Sequence, residues 1–322
     1  MPAYDLIGDI HGCADELEAL LRHLGYRQRA GAWRHPESPS RLALFVGDFL
    51  DRGPEILRTL RLCRAMLEAG SALAVLGNHE LNAMAFHFPD PDRPGAFLRP
   101  HTAKNQRQHA ATLAQVPPDE LASHLAFFRA LPFSIARPTC RVVHACWDEP
   151  ALAVIDEALA RHGGLTDAFL VEGHDPDALL FDALEIVVKG KEMRLPAGVS
   201  FRDKDGTRRE KARVRWYAPP DGHTVATYTL PTLWRGPELT LHPELARAPL
   251  PARVHAEARP YPTAAPPVFF GHYWLDDPAP APLAPNVACL DYSVAKGGFL
   301  CGYRHAGEDT IEPTRFVVER AT

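Results

Sequence analysis

The chain has no Cys-x-x-Cys pair: its six cysteines stand apart at positions 13, 63, 140, 146, 289 and 301. A structural zinc site is therefore not indicated, and a chain of 322 residues needs no disulfide staples, so reduced thiols are expected. No apolar run approaches the roughly 20 residues that cross a bilayer. The first residues, Met1-Pro2-Ala3, lack both the basic segment and the long apolar stretch of a signal peptide. A cytoplasmic protein with no membrane partner is the expectation. Neither sign of charge dominates: the net charge is −5, which gives no sign of a stable nucleic-acid partner. Proline is abundant, with 31 residues that cluster in expected loops, while 46% hydrophobic and 23% charged residues are ordinary for a globular chain.

Against that background one stretch stands out, Gly8-Asp9-Ile10-His11-Gly12, at the end of an apolar run over 4–7. The pattern of apolar run, glycine and metal-ligand residue returns twice. Gly47-Asp48-Phe49-Leu50-Asp51-Arg52-Gly53 follows a run over 42–46, and Gly77-Asn78-His79-Glu80 follows one over 72–76. Between the runs, Leu17, Leu20, Leu21 and Leu24 predict a helix closed by Gly25. Ile56, Leu57, Leu60, Cys63 and Leu67 predict a second, opened by Pro54 and closed by Gly70. The first 80 residues thus read β-α-β-α-β, with parallel strands and a shared site beyond their carboxyl ends.

Further along, helices are expected over 102–115, 119–130 and 150–162, and strands over 141–145 and 268–270, ending at His144 and His272. From 165 to 262 a β-rich inserted lobe is expected, with strands over 184–189 and 211–217 and a turn at Asp203-Lys204-Asp205-Gly206. Residues 287–291 and 299–304 read as a closing hairpin around Lys296-Gly297-Gly298. The chain is then one domain, with its core in 1–160 and 263–322.

Asp9 and His11, one residue apart, would lie on the same side of an extended strand end. With Asp48, Asn78, His144 and His272 they make two carboxylates, three imidazoles and an amide oxygen. That donor set suits manganese, iron, zinc or cobalt better than calcium. Six ligands exceed one tetrahedral ion, and fit two ions about 3.5–4 Å apart that share a carboxylate and a water. Such a pair generates hydroxide near neutral pH and clamps phosphoryl oxygens. His79 is the candidate acid for the leaving oxygen, Asp51 the anion that orients it, and Arg52 a fork for two phosphate oxygens.

These three motifs resemble the signature of the calcineurin-like metallophosphoesterases. The Asp51-Arg52-Gly53 variant resembles the branch containing Ser/Thr protein phosphatases and bacterial diadenosine tetraphosphatases. The resemblance is close over 4–80 and looser over 141–148 and 268–304. It implies an α/β fold (α+β in some schemes), a β-sandwich flanked by helices in four layers, α-β-β-α. It also implies that Asp9, His11 and Asp48 hold a first metal, and that Asp48, Asn78, His144 and His272 hold a second. His79 with Asp51 would be the acid pair and Arg52 the phosphate contact. The chain departs from the branch in three places: His144-Ala145-Cys146 replaces a His-Gly-Gly segment, the later substrate-binding arginine has no matching position, and the insert over 165–262 has no counterpart in either well-known substrate class.

The expected function is a metal-dependent phosphoester hydrolase that uses a dinuclear, most simply manganese, centre and a bridging hydroxide. Its substrate would be a small phosphorylated molecule or a dinucleoside polyphosphate. A phosphoprotein phosphatase is the alternative, and a non-catalytic binding module would have eroded these ligands. His174 reads as a surface-loop histidine and Cys146 as packing. Lys189, Lys191, Arg208, Arg209, Lys211, Arg213 and Arg215 read as a solvated hairpin face, with a phosphate-rich substrate contact as the sharper alternative. Asn105, Arg107 and Gln108 are unranked candidates for the site.

Overall fold

A computed structural model describes residues 3–195, 200–202, 208–230 and 248–321. They fall into two compact units, Met1–Lys189 with Pro266–Thr322, and Gly190–Ala265. The first unit opens with β1 (Ala3–Ile7) and α1 (Ala14–His23), which buries Leu17, Leu20 and Leu21 and ends before Gly25 at φ 99°. β2 (Arg27–Arg29) and β3 (Ala32–Arg34) form a small hairpin that no apolar pattern announced. β4 (Arg41–Phe45), α2 (Ile56–Glu68) and β5 (Ala72–Ala74) follow, and β4 pairs parallel with both β1 and β5. α2 starts two residues beyond Pro54, because left-handed Asp51 and Arg52 keep the chain in a loop that Glu55 N closes onto Gly12 O at 2.8 Å. Its buried stripe runs Ile56, Thr59, Leu60, Cys63 and Met66, leaving Leu57 and Leu67 half-buried.

α3 (Asn78–His87) is buried nearly all round, so it carries no amphipathic signal in the sequence. α4 (Ala103–Gln115) is capped by the Thr102 side chain, and α5 (Pro118–Phe128) has proline in its first turn. β6 (Ser134–Ala136), β7 (Arg141–Val143), α6 (Glu149–His162), α7 (Asp167–Glu172) and α8 (Leu179–Lys189) complete this stretch. The strand expected over 184–189 is the second half of α8. Its buried residues, Leu180, Ala183, Leu184, Val187 and Val188, keep helical spacing, which a short apolar window does not distinguish from a strand.

The second unit holds the ladders β8 (Glu192–Arg194) with β11 (Lys211–Arg213) and β9 (Phe201–Arg202) with β10 (Arg208–Arg209), plus short helices α9 (Val225–Tyr228) and α10 (Ala252–Glu257). Met193, Leu195, Ala212, Val214, Val225, Tyr228 and Leu250 form its apolar cluster. The lobe was expected from 165, whereas this unit starts at Gly190, with α7 and α8 in the first unit. Of the strand expected over 211–217, only 211–213 is a strand. The turn at 203–206 lies outside the described residues.

Back in the first unit come β12 (Val268–Phe270), β13 (Val287–Cys289), β14 (Asp291–Tyr292), β15 (Phe299–His305) and β16 (Phe316–Arg320). One sheet is ordered β14-β15-β1-β4-β5 with β16 also on β15, and the other is β13-β12-β7-β6. The expected hairpin arm over 287–291 divides: β13 is parallel to β12 in one sheet, and β14 is antiparallel to β15 in the other. The two sheets meet where the Phe269 and Tyr303 rings lie 5.0 Å apart, both fully buried. α1 packs on β15 and β16, and α6 on α8. The result is a mixed α/β sandwich whose strand ends β1, β4, β5, β7 and β12 lead to the residues singled out above. All six cysteines are free and buried. Among the described residues no helix is long and apolar enough to cross a membrane.

Candidate metal and catalytic centre

The strand ends turn inward through backbone that side-chain-bearing residues seldom adopt. His11 (φ 48°), Asp48 (56°), Asp51 (67°), Arg52 (72°), His272 (73°) and Trp274 (51°) are all left-handed. Such strain persists only where the surroundings impose it, and it collects at functional sites. It also corrects the expectation of an extended strand end for Asp9 and His11: β1 stops at Ile7, and a left-handed His11 aims the ring. Glu80 fastens two of the loops together, its carboxylate accepting from Gly77 N (3.0 Å), Asp48 N (2.9 Å) and Phe49 N (2.8 Å). Burial and the charge of Asp48 push the Glu80 carboxyl up to about 7. Gly271 is required by close approach: a Cβ there would stand 1.8 Å from Asp9 Oδ1.

Asp48 is the hub. Its Oδ2 lies 3.4 Å from His144 Nε2, 3.5 Å from His11 Nε2 and 3.9 Å from His79 Nε2. His144 Nε2 is also 3.0 Å from Asn78 Oδ1. Donor atoms of His11, Asp48 and His79 converge within 4.8 Å of one another, as do those of Asp48, His144 and His272. Every residue of both trios is buried. Asp9 belongs to neither trio; its Oδ2 accepts from His272 N at 3.0 Å, which ties the first motif to the last.

The ring tautomers follow from their outer contacts. His11 Nδ1 donates to Leu50 O (2.9 Å) and His144 Nδ1 to Val46 O (2.7 Å), so each ring turns Nε2 to the centre. Burial would raise the Asp48 carboxyl, but His144, His79 and His11 outweigh it and hold it well below the usual carboxylate range. Burial would lower His144, yet Asp48 pushes it up to about 10. Burial, then the charges of Arg52 and His79, drives the His11 ring well below its ordinary value. Asp9 Oδ1 and His11 Nε2 are buried without a hydrogen bond among the described residues. Carboxylate, imidazole and amide oxygen in this cluster fit divalent metal ions.

Beside the cluster, His79 Nδ1 lies 2.6 Å from Asp51 Oδ2, and Arg52 Nη2 lies 3.2 Å from His79 Nε2. Two residues that no motif marked, His109 and Thr112 on α4, bond Asp51 Oδ1 at 2.8 and 2.6 Å. Asn105 and Gln108 line a cavity of about 10 Å³ with Asp51, His79 and Arg99, and both accept from Arg99 Nη2. Arg107 is exposed. His174 is half-buried with Nδ1 2.8 Å from Leu170 O, a local contact, and Cys146 is fully buried. In the second unit, exposed Lys211 and half-buried Arg213 and Arg215 alternate with buried Ala212 and Val214, a half-buried hairpin pattern, and Arg208 is exposed on the other ladder.

The profile of the calcineurin-like phosphoesterases matches residues 4–182. The chain belongs to that family. Over 76 residues this calcineurin-like phosphoesterase is 47% identical to the bis(5'-nucleosyl)-tetraphosphatase PrpE (asymmetrical) of Halalkalibacterium halodurans, covering 24% of this chain and 30% of the relative. Over 84 residues it is 40% identical to the symmetrical bis(5'-nucleosyl)-tetraphosphatase of Hamiltonella defensa, covering 26% of each. The chain therefore spans about a third or less of the curated relatives it matches. In structure it resembles a cold-active protein-tyrosine phosphatase from a psychrophilic Shewanella species, with a TM-score of 0.50 at 16% identity, covering 100% of this chain and 81% of the other. That likeness concerns the fold alone.

Proposed function

We propose that this calcineurin-like phosphoesterase hydrolyses a small phosphorylated molecule, with a dinucleoside polyphosphate as the leading substrate. The observation that carries the reading is the buried Asp48-centred cluster standing beside the His79–Asp51 pair and Arg52. The names of the relatives matched over their motif-bearing segment favour the dinucleotide.

In this reading Asp9, His11 and Asp48 hold one ion, and Asp48, Asn78, His144 and His272 hold a second, with manganese the first choice among manganese, iron, zinc and cobalt. The bound ions supply Lewis-acid charge for the phosphoryl oxygens and acidify water. The chain supplies the rest. Arg52 forks onto two phosphate oxygens and orients the group. His79, held at Nδ1 by Asp51, turns Nε2 to Arg52; once Arg52 moves onto the phosphate and Nε2 carries a proton, that proton goes to the leaving oxygen. Burial around Asp48 and His144 excludes bulk water, which strengthens each of these contacts.

The deciding measurement is a comparison, on manganese-reconstituted protein, of diadenosine tetraphosphate cleavage with phosphate release from a phosphopeptide. Cleavage of the dinucleotide is expected, and activity on the peptide alone would overturn the substrate ranking. Asp48→Asn is expected to lose metal and activity together; full metal content with full activity would overturn the site.

A further inference from the structure

We propose that Lys296 and Trp274 complete, with Arg52, a cationic rim that selects substrates carrying more than one phosphoryl group; the proposal rests on the hydrolase reading above. Trp274 is a bulky residue held at φ 51°, two positions beyond His272. A bulky side chain in the left-handed region is an outlier that local packing alone does not favour. Here it is imposed by Asp291, which is buried and accepts from Trp274 N through Oδ2 (2.7 Å) and from Ser293 N through Oδ1 (3.0 Å). Leu275 N donates to Asp291 O at 2.9 Å, and Ser293 is itself left-handed at φ 59°. One carboxylate thus staples the loop after β12 to the loop after β14.

The staple brings two cations to one ring. Arg52 Cζ stands 3.8 Å from the Trp274 ring centroid, and Lys296 Nζ stands 5.7 Å from it. Both fall within the roughly 6 Å over which an aromatic face attracts a cation. Lys296 is exposed and ends the short turn Val294–Lys296, which left-handed Gly297 closes at φ 84°. Arg52 is the planar fork at the centre, while a lysine is a compact, mobile point charge. The indole fixes Arg52 over the reacting phosphoryl group. Lys296, exposed and beside the same ring, meets the anionic charge of the next phosphate along a chain. A phosphomonoester has no such second charge.

The test measures kcat and KM for diadenosine tetraphosphate and for p-nitrophenyl phosphate on the metal-reconstituted full chain and on Lys296→Ala, Trp274→Ala and Trp274→Phe. Lys296→Ala is expected to lose about tenfold more kcat/KM on the tetraphosphate than on the monoester, through KM. Trp274→Ala is expected to lose on both substrates as Arg52 loses its platform, with Trp274→Phe recovering most of the loss. The same loss on both substrates in Lys296→Ala, with matching thermal melts, overturns the rim while leaving the hydrolase standing. A wild-type chain inactive on both substrates overturns the hydrolase reading, and the rim with it.

Discussion

His79 and Asp51 form a pair that is held from behind. His79 Nδ1 is 2.6 Å from Asp51 Oδ2, while Oδ1 is occupied by His109 Nδ1 and Thr112 Oγ1. With both oxygens engaged, the carboxylate does not rotate away from the ring. Burial opposes its charge, but the bonds from His109 and His79 outweigh burial and hold it well below the usual carboxylate range. It therefore stays ionised and fixes the His79 ring. Asp51→Asn is expected to lower kcat by about 100-fold or more. The loss should be larger for alkyl phosphates than for p-nitrophenyl phosphate, whose leaving group needs little protonation. His109→Gln should give the same pattern in weaker form. A uniform loss across leaving groups would remove His79 from the acid role.

Gly271 makes a sharper structural prediction. A methyl group there would meet Asp9 Oδ1 at 1.8 Å and Val46 Cγ2 at 2.9 Å, so the loop bearing His272 must move. Gly271→Ala is expected to cost about 1–3 kcal/mol of stability. It should also lower metal uptake, since Asp9 and His272 share the hydrogen bond that this loop makes. Urea unfolding and metal analysis of the purified variant read both effects. Wild-type metal content would show that the loop relaxes without disturbing the centre.

Three motifs on the first 80 residues were legible because each joins an apolar run to a glycine and a ligand, a pattern that survives without tertiary context. His144 and His272 were legible only as strand ends. His109 and Thr112 were not: they sit on an ordinary polar helix, and only the folded approach of α4 to Asp51 gives them a task. Trp274 and Asp291 were equally silent, since a left-handed tryptophan has no sequence signature. The strand read over 184–189 failed for the opposite reason. Ile186, Val187 and Val188 in it are apolar and β-branched, and only the longer period from Leu180 to Val188 shows the helix. α3 was missed because burial on every side erases periodicity.

Asp5 is a fully buried carboxylate on β1, bonded by Arg41 Nη2 (2.6 Å) and Nε (2.8 Å) from β4 and by Tyr26 OH (3.1 Å). This bidentate pair fixes the two strands that deliver the first and second motifs. Removing the guanidinium strands a charge in the core. Arg41→Ala is expected to cost about 3–5 kcal/mol, whereas Arg41→Met with Asp5→Leu should cost less, because no buried charge is left. Urea denaturation of the two variants decides it. A double variant at least as unstable as Arg41→Ala would mean that packing, not the stranded charge, sets the cost.

His124 on α5 supplies a pH dependence away from the metal cluster. It is buried, and its Nδ1 has no hydrogen bond among the described residues. Burial pushes its ring below the ordinary value, and Arg64 pushes the same way; Glu120 opposes them, Arg61 adds to the lowering and Glu68 opposes it, with a net shift downward. The Phe128 ring, 6.4 Å away, adds no charge. In the unfolded chain the imidazole titrates near 6.5. Below that pH the unfolded state takes up a proton that the folded state resists, so stability falls as pH drops through 6.5 toward the lower folded value. His124→Leu removes this titrating group and fills its buried place with an apolar side chain. Between pH 7.5 and 5.5 the urea midpoint of the wild type is expected to fall further than that of the variant. The remaining titrations are common to both proteins and cancel in the comparison. Equal falls would mean that His124 accepts its proton in the folded chain as readily as in the unfolded one.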